Sequence, residues 1–146
     1  MAELDRDEVL ARGLRGYVRL VTEALDLDSE CSYVWDERPA RAYLAVDRRL
    51  PTRPDREAAL LWDEERGWSA AIETHSGEDL IIVDHLGGDV LPPPRRVAKW
   101  AGRLFRGERR DAPRPVPARV NHAAGDLTRR LAAYADAVPV PMSRSA

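Results

Sequence analysis

Apolar residues recur at steps of three and four near the start of the chain: Leu10, Leu14, Tyr17, Val18, Val21 and Leu25. That spacing lines one face of a helix. Asp5, Asp7 and Glu8 fall in or before its first turn, where the positive end of the helix dipole favours acids. Gly13 and Gly16 each cost about 1 kcal/mol of helix propensity relative to alanine. Glycines three apart either admit a second backbone at close range or are merely tolerated.

From Ser29 the period falls to two. In ECSYVWD, Cys31, Tyr33 and Trp35 point one way and form an apolar face, on which Cys31 reads as a buried structural thiol. DERPAR is a turn, and RAYLAVD places Ala42, Leu44 and Val46 on one face. RRLPTRPDRE is a loop with an island of Arg48, Arg49, Arg53 and Arg56. LLWDEERGWSAAIE then reads as a hairpin with Gly67 in the left-handed conformation after a type I turn. The expected register pairs Glu64 with Trp68, Trp62 with Ala70 and Leu60 with Ile72. Trp62 and Trp68 then share a face with Leu60, Ala70 and Ile72, and Asp63 to Arg66 form a solvated tip. HSGED makes the next turn. LIIVDHL follows as a fifth strand, apolar on both faces for four residues. Strands of that kind are usually central or covered. In an up-and-down meander this one would be an edge. Three outcomes are therefore open: a helix covers it, the order is not a meander, or a second chain pairs with it.

The second helix begins after PPP. Val97, Trp100, Ala101, Leu104 and Phe105 form its apolar stripe, and Arg95, Arg96, Lys99, Arg103 and Arg106 its basic face. Gly107 is the stop signal. A last helix is expected over about 118–137, with Val120, Ala124, Leu127, Leu131, Tyr134 and Val138 on one face. The order α-β-β-β-β-β-α-α predicts an α+β fold: an N-terminal helix, a five-stranded, mainly antiparallel sheet, and two C-terminal helices packed on one face. The expected organisation is a core domain over 1–106, a Pro/Arg-rich linker over 107–117, a C-terminal helix over 118–138 and a disordered tail over 139–146.

Composition narrows the function classes. The 146 residues suit one domain, and 33% of them are charged, above the usual quarter. No apolar run is long enough for a membrane span, and MAELDRDE lacks the features of a signal peptide, so a cytoplasmic protein is expected. The one cysteine excludes an intramolecular disulfide and any multi-cysteine metal site. The net charge of −2 is divided unevenly: residues 1–90 balance to −10 and residues 91–146 to +8. Such polarity suits an anionic partner for the C-terminal part, or mutual attraction of the two parts within one chain or across a dimer.

Motifs with chemistry are few. His75, Glu78 and Asp79 cluster at one turn and are the pocket candidates, yet HExxH and paired-cysteine spacings are absent. Asp84 and His85 are adjacent on a strand and so point to opposite faces, which excludes a simple dyad. His122 reads as a surface residue. LGGDV, from Leu86 to Val90, lacks a phosphate-loop pattern and reads as a turn. No residue is assigned a catalytic, cofactor or metal role, and no cofactor is expected. The basic helix face, followed by Arg109, Arg110 and Arg114, could contact phosphates, but no base-reading motif accompanies it.

The stretch ALLWDEERGW, continued by ETHSGEDLI and LGGDVLPPP, resembles a family of small uncharacterised proteins from Streptomyces and related actinobacteria. The likeness covers about residues 14–105, and 22 arginines against one lysine agree with a high-GC genome. It implies a domain of unknown function and carries over no site residues. The leading expectation is a non-enzymatic protein-interaction or regulatory protein, homodimeric, with a protein partner. The alternatives are a nucleic-acid-binding regulator using the basic face, and a small-molecule-binding protein or enzyme near the 74–79 turn.

Overall fold

The computed structural model describes residues 2–27, 31–35, 39–46, 48–51, 53–74, 79–108 and 123–135, and of these the side chains of all but 2–7 and 123–126. Eight elements follow in chain order: α1 (Ala2–Ala24), β1 (Ser32–Trp35), β2 (Arg41–Val46), β3 (Ala58–Asp63), β4 (Gly67–Glu73), β5 (Leu80–His85), α2 (Pro94–Phe105) and α3 (Ala123–Ala135). The strands form one sheet in the order β1-β2-β3-β4-β5, antiparallel throughout. This is the α+β fold that the sequence predicts.

The inner face of the sheet carries the residues that alternation selects. Ala42, Leu44, Val46, Leu60, Trp62, Trp68 and Ala70 are buried in one cluster with Leu10, Leu14, Tyr17, Val18 and Val21 of α1. Val97, Trp100 and Ala101 of α2 join it, as do Leu127 and Leu131 of α3. Full burial of side chains of this size contributes roughly 1.5–3 kcal/mol each. α3 therefore belongs to the same core as the rest. The expected linker beyond Glu108 and the expected tail lie outside the described residues, as do Val120 and Val138.

α1 and α3 approach closely at Gly13. A Cβ there would lie 2.2 Å from the Leu131 carbonyl oxygen. The glycine that weakens helix propensity is thus the one that lets the second backbone in. α2 ends as its sequence suggests. Gly107 is left-handed, with φ 81°, and Gly107 and Glu108 donate their backbone N–H groups to the carbonyls of Leu104 and Arg103.

Two expectations differ from the structure, and the strand order left open is now given. The hairpin register differs by two positions: Trp62 pairs directly with Trp68, Leu60 with Ala70 and Ala58 with Ile72. Asp63 decides this by capping the turn. Its Oδ1 accepts the backbone N–H groups of Glu65 (2.8 Å) and Arg66 (2.6 Å), so the strands close at Asp63 and Gly67. A two-residue shift preserves which face each side chain takes, so both tryptophans remain inside.

The second correction concerns β1. Its inward side is that of Val34, which packs on the core, whereas Tyr33 and Trp35 stand on the outer face. Their rings stack on each other 4.6 Å apart, and the Arg41 guanidinium lies 4.9 Å above Trp35. The aromatics stay exposed, and what shielding they have comes from one another and from a cation rather than from a helix. Cys31 is accordingly half-buried, not a core thiol.

The strand order makes β5 the edge of a plain meander, and Leu80, Ile81, Ile82 and Val83 are 37–48% exposed. A register shift between Ala70 and Ala71 of β4 leaves Val83 of β5 without a ladder partner on β4 and turns Asp84 toward the core.

Gly13→Ala should lower stability by roughly 1–3 kcal/mol in urea unfolding, because overpacking outweighs the helix-propensity gain of about 1 kcal/mol. A variant as stable as the parent would show that α3 can shift away without loss.

Candidate functional site

The segment Leu86–Pro93 crosses from β5 to α2 over the inner face of the sheet, and buried donors fix it there. The Trp62 Nε1–H donates to the Val90 carbonyl at 2.7 Å. The Trp68 Nε1–H donates to the Tyr17 hydroxyl at 3.0 Å, and that hydroxyl donates in turn to the Pro92 carbonyl. Arg130 of α3 spans Asp89 with two bonds, at 3.0 and 2.5 Å, and reaches the Leu91 carbonyl at 3.2 Å. Burial pushes the Tyr17 hydroxyl far above the usual tyrosine range, so it stays protonated and able to donate. The Arg130 bonds hold the Asp89 carboxyl below the usual carboxylate range.

This anchoring aims α2. Its first turn follows Pro93 directly, with Pro94 at the first helical position, no acid in that turn and no side-chain cap. The Trp100 Nε1–H donates to the buried Asp84 carboxylate at 2.8 Å, which pins the middle of α2 to β5. Between the anchored segment and the exposed side of α2 lies a groove of about 580 Å³, lined by Leu86, Pro93, Arg95, Arg96, Lys99, Trp100 and Arg103.

Four of the five cations read from the helix period therefore line one concavity. Arg106 is not among them. It sits past the last turn, with its Nε 3.1 Å from Glu108. Arg103 has a longer contact, 3.9 Å, with the same carboxylate. No ion pair engages Arg95, Arg96 or Lys99 among the described residues. The sequence named the cations but not the opposite wall, because Leu86 and Pro93 carry no periodic signal and only the anchored crossing brings them to α2.

The other candidates are placed less informatively. His75 and Glu78 lie outside the described residues, and so do His122, Arg109, Arg110 and Arg114. Asp79 is exposed, and the Thr74 N–H donates to its carbonyl at 3.0 Å. His85 pairs with Ser69 on the outer face while Asp84 points inward, as alternation requires. The arginine island is engaged locally. Arg48 lies over Phe105, Arg49 donates to the Pro54 carbonyl, and Arg56 donates to the Glu73 carbonyl. Among the described residues no three His, Cys, Asp or Glu side chains are grouped to hold a metal ion, and no helix is long and apolar enough to cross a membrane.

The model of the family of unknown function DUF6292 matches residues 17–103, more than half of the chain, and the chain belongs to that family. No curated protein and no solved structure matches it. The matched span contains Tyr17, both hairpin tryptophans, the anchored crossing and the groove; Arg130 and Leu131 of α3 lie beyond it.

Asp89 gives a pH prediction. A carboxyl held below its unfolded value, about 3.9, contributes stability above that pH and loses it as pH falls through the folded value. Asp89→Asn should therefore be less stable than the parent at neutral pH, by no more than about 1 kcal/mol at this half-exposed site. The difference should shrink below about pH 4. Urea titrations at several pH values would show it, and a difference independent of pH would contradict the charge-assisted role.

Proposed function

We propose that this member of the DUF6292 family is a non-enzymatic interaction protein, regulatory in role, that self-associates through β5 and presents the joined sheets to a protein partner. One observation carries this reading: the last strand of the meander exposes four consecutive apolar side chains, Leu80 to Val83. An edge strand offers unpaired N–H and C=O groups, and monomeric proteins commonly guard such an edge with charge or proline. No charged residue or proline falls between Leu80 and Val83. Burying these side chains without a second chain would require a covering helix, and none of the described helices does so.

The fitting occupant is a second copy. Two β5 strands paired antiparallel about a twofold axis are self-complementary, each offering the same donors, acceptors and apolar side chains. Leu80 and Ile82 stand on the outer face beside Glu73 and Ala71, and Ile81 stands on the inner face beside Ile72. Pairing therefore covers apolar surface on both sides of the ladder. The outer face adds continuous area. Tyr33, Trp35, Tyr43 and Leu61 stand on it, around Ala59 and Ala71. A cytoplasmic setting and an actinobacterial source belong to the same reading, supported by the single cysteine and the arginine-for-lysine usage.

Sedimentation of the intact chain at tens of micromolar should give a dimer. Ile81→Lys and Ile82→Lys, at exposed positions that cost the fold little, should each give a folded monomer whose melting, unlike the parent's, does not depend on concentration. A parent that sediments as a monomer, or variants that remain dimeric, would refute pairing through β5.

A further inference from the structure

The groove on α2 is independent of the sheet edge and has its own chemistry. Its helical wall supplies Arg95, Lys99 and Arg103 at steps of four, with Arg96 beside the first. Eight residues at 1.5 Å per residue put this cationic line at about 12 Å. Among the described residues no acidic side chain lines the cavity.

The placement also works against helix stability. Arg95 and Arg96 lie in the first turn, at the positive end of the dipole, where stability alone favours acids. Three of the four cations have no ion-pair partner among the described residues, although the chain as a whole carries excess acid. Concave shape and unopposed charge converge on the same volume, at the positive end of the helix dipole, and each favours an anion there.

We propose that this groove binds the phosphate groups of a compact ligand, in the class of nucleotides and sugar phosphates. Its volume falls within the usual range for small-molecule sites, roughly 300–1,000 Å³. Arginine pairs with phosphate through two parallel N–H donors, and Lys99 adds a point charge. Leu86 and Pro93 give the remainder of the ligand an apolar wall, while Trp100 is buried and serves as floor. A nucleic-acid duplex fits less well. It presents phosphates over a far longer track than about 12 Å, and non-specific binders typically neutralise several at once. The −10 balance of residues 1–90 repels such a polyanion beyond the groove. A compact ligand feels chiefly the local field, since screening limits the rest to about 8–10 Å.

Calorimetric titration of the intact chain at low salt tests this, with inorganic pyrophosphate, ADP and a double-stranded DNA oligonucleotide as probes. Pyrophosphate or ADP should bind with Kd below about 1 mM. The double variant Arg95→Gln/Lys99→Gln should weaken that binding at least tenfold, and Arg66→Gln at the hairpin tip should leave it unchanged. Arg95→Glu should abolish binding while raising the melting temperature, because it restores an acid to the first turn. A merely structural arginine would not produce that combination. Absence of binding by both small probes, indifference to the double variant, or tighter binding of the duplex than of ADP would overturn the proposal.

Discussion

A buried polar group without a partner costs about 1–3 kcal/mol, and this constraint organises the molecule around one crossing segment. The indole N–H groups of Trp62 and Trp68 are both inside the core and must be satisfied there. Each ends, directly or through Tyr17, on a carbonyl of the segment between β5 and α2. Those carbonyls belong to a stretch rich in proline, which has few N–H donors and no regular ladder to join. Sheet, α1 and crossing thus satisfy one another's leftover polar groups. Arg130 brings α3 into the same arrangement from the outside.

The consequences extend to both surfaces that face partners. The crossing must return over the inner face of the sheet to meet Trp62 and Tyr17, so α2 is delivered beside β5 with its cations outward. Trp100 then locks it by donating to Asp84, the residue that the register shift turns inward. Were the crossing to leave the sheet at another angle, Leu86 and Pro93 would not face Arg95 and Lys99, and no groove would form. The same return path keeps α2 on the inner face, which leaves Leu80 and Ile82 on the outer face of β5 uncovered.

Much of this architecture was legible in the sequence. Apolar period gave the helices and their buried faces, and alternation gave β2, β3 and β4. The hairpin register could not be read correctly, because a capping carboxylate at Asp63 competes with glycine placement for control of the turn, and only the face assignment is insensitive to a shift of two. β1 misled because aromatic residues signal burial on average, whereas Tyr33, Trp35 and Arg41 shield one another. At the candidate site the cations were visible as a helical stripe, but the wall they face is built by a non-periodic segment. Arg106 belonged to the stripe by spacing and leaves the site because the helix ends at Phe105.

The Trp68–Tyr17–Pro92 relay acts as one unit rather than as separate contacts. A double-mutant cycle in urea unfolding with Tyr17→Phe, Trp68→Phe and their combination measures it directly. Both single changes remove the Trp68–Tyr17 bond, and Tyr17→Phe also removes the bond to Pro92, so their effects should overlap, with a coupling energy of about 0.5–3 kcal/mol. Strictly additive effects, with coupling near zero, would mean that the two side chains contribute only their packing, and that something else holds the crossing segment in place.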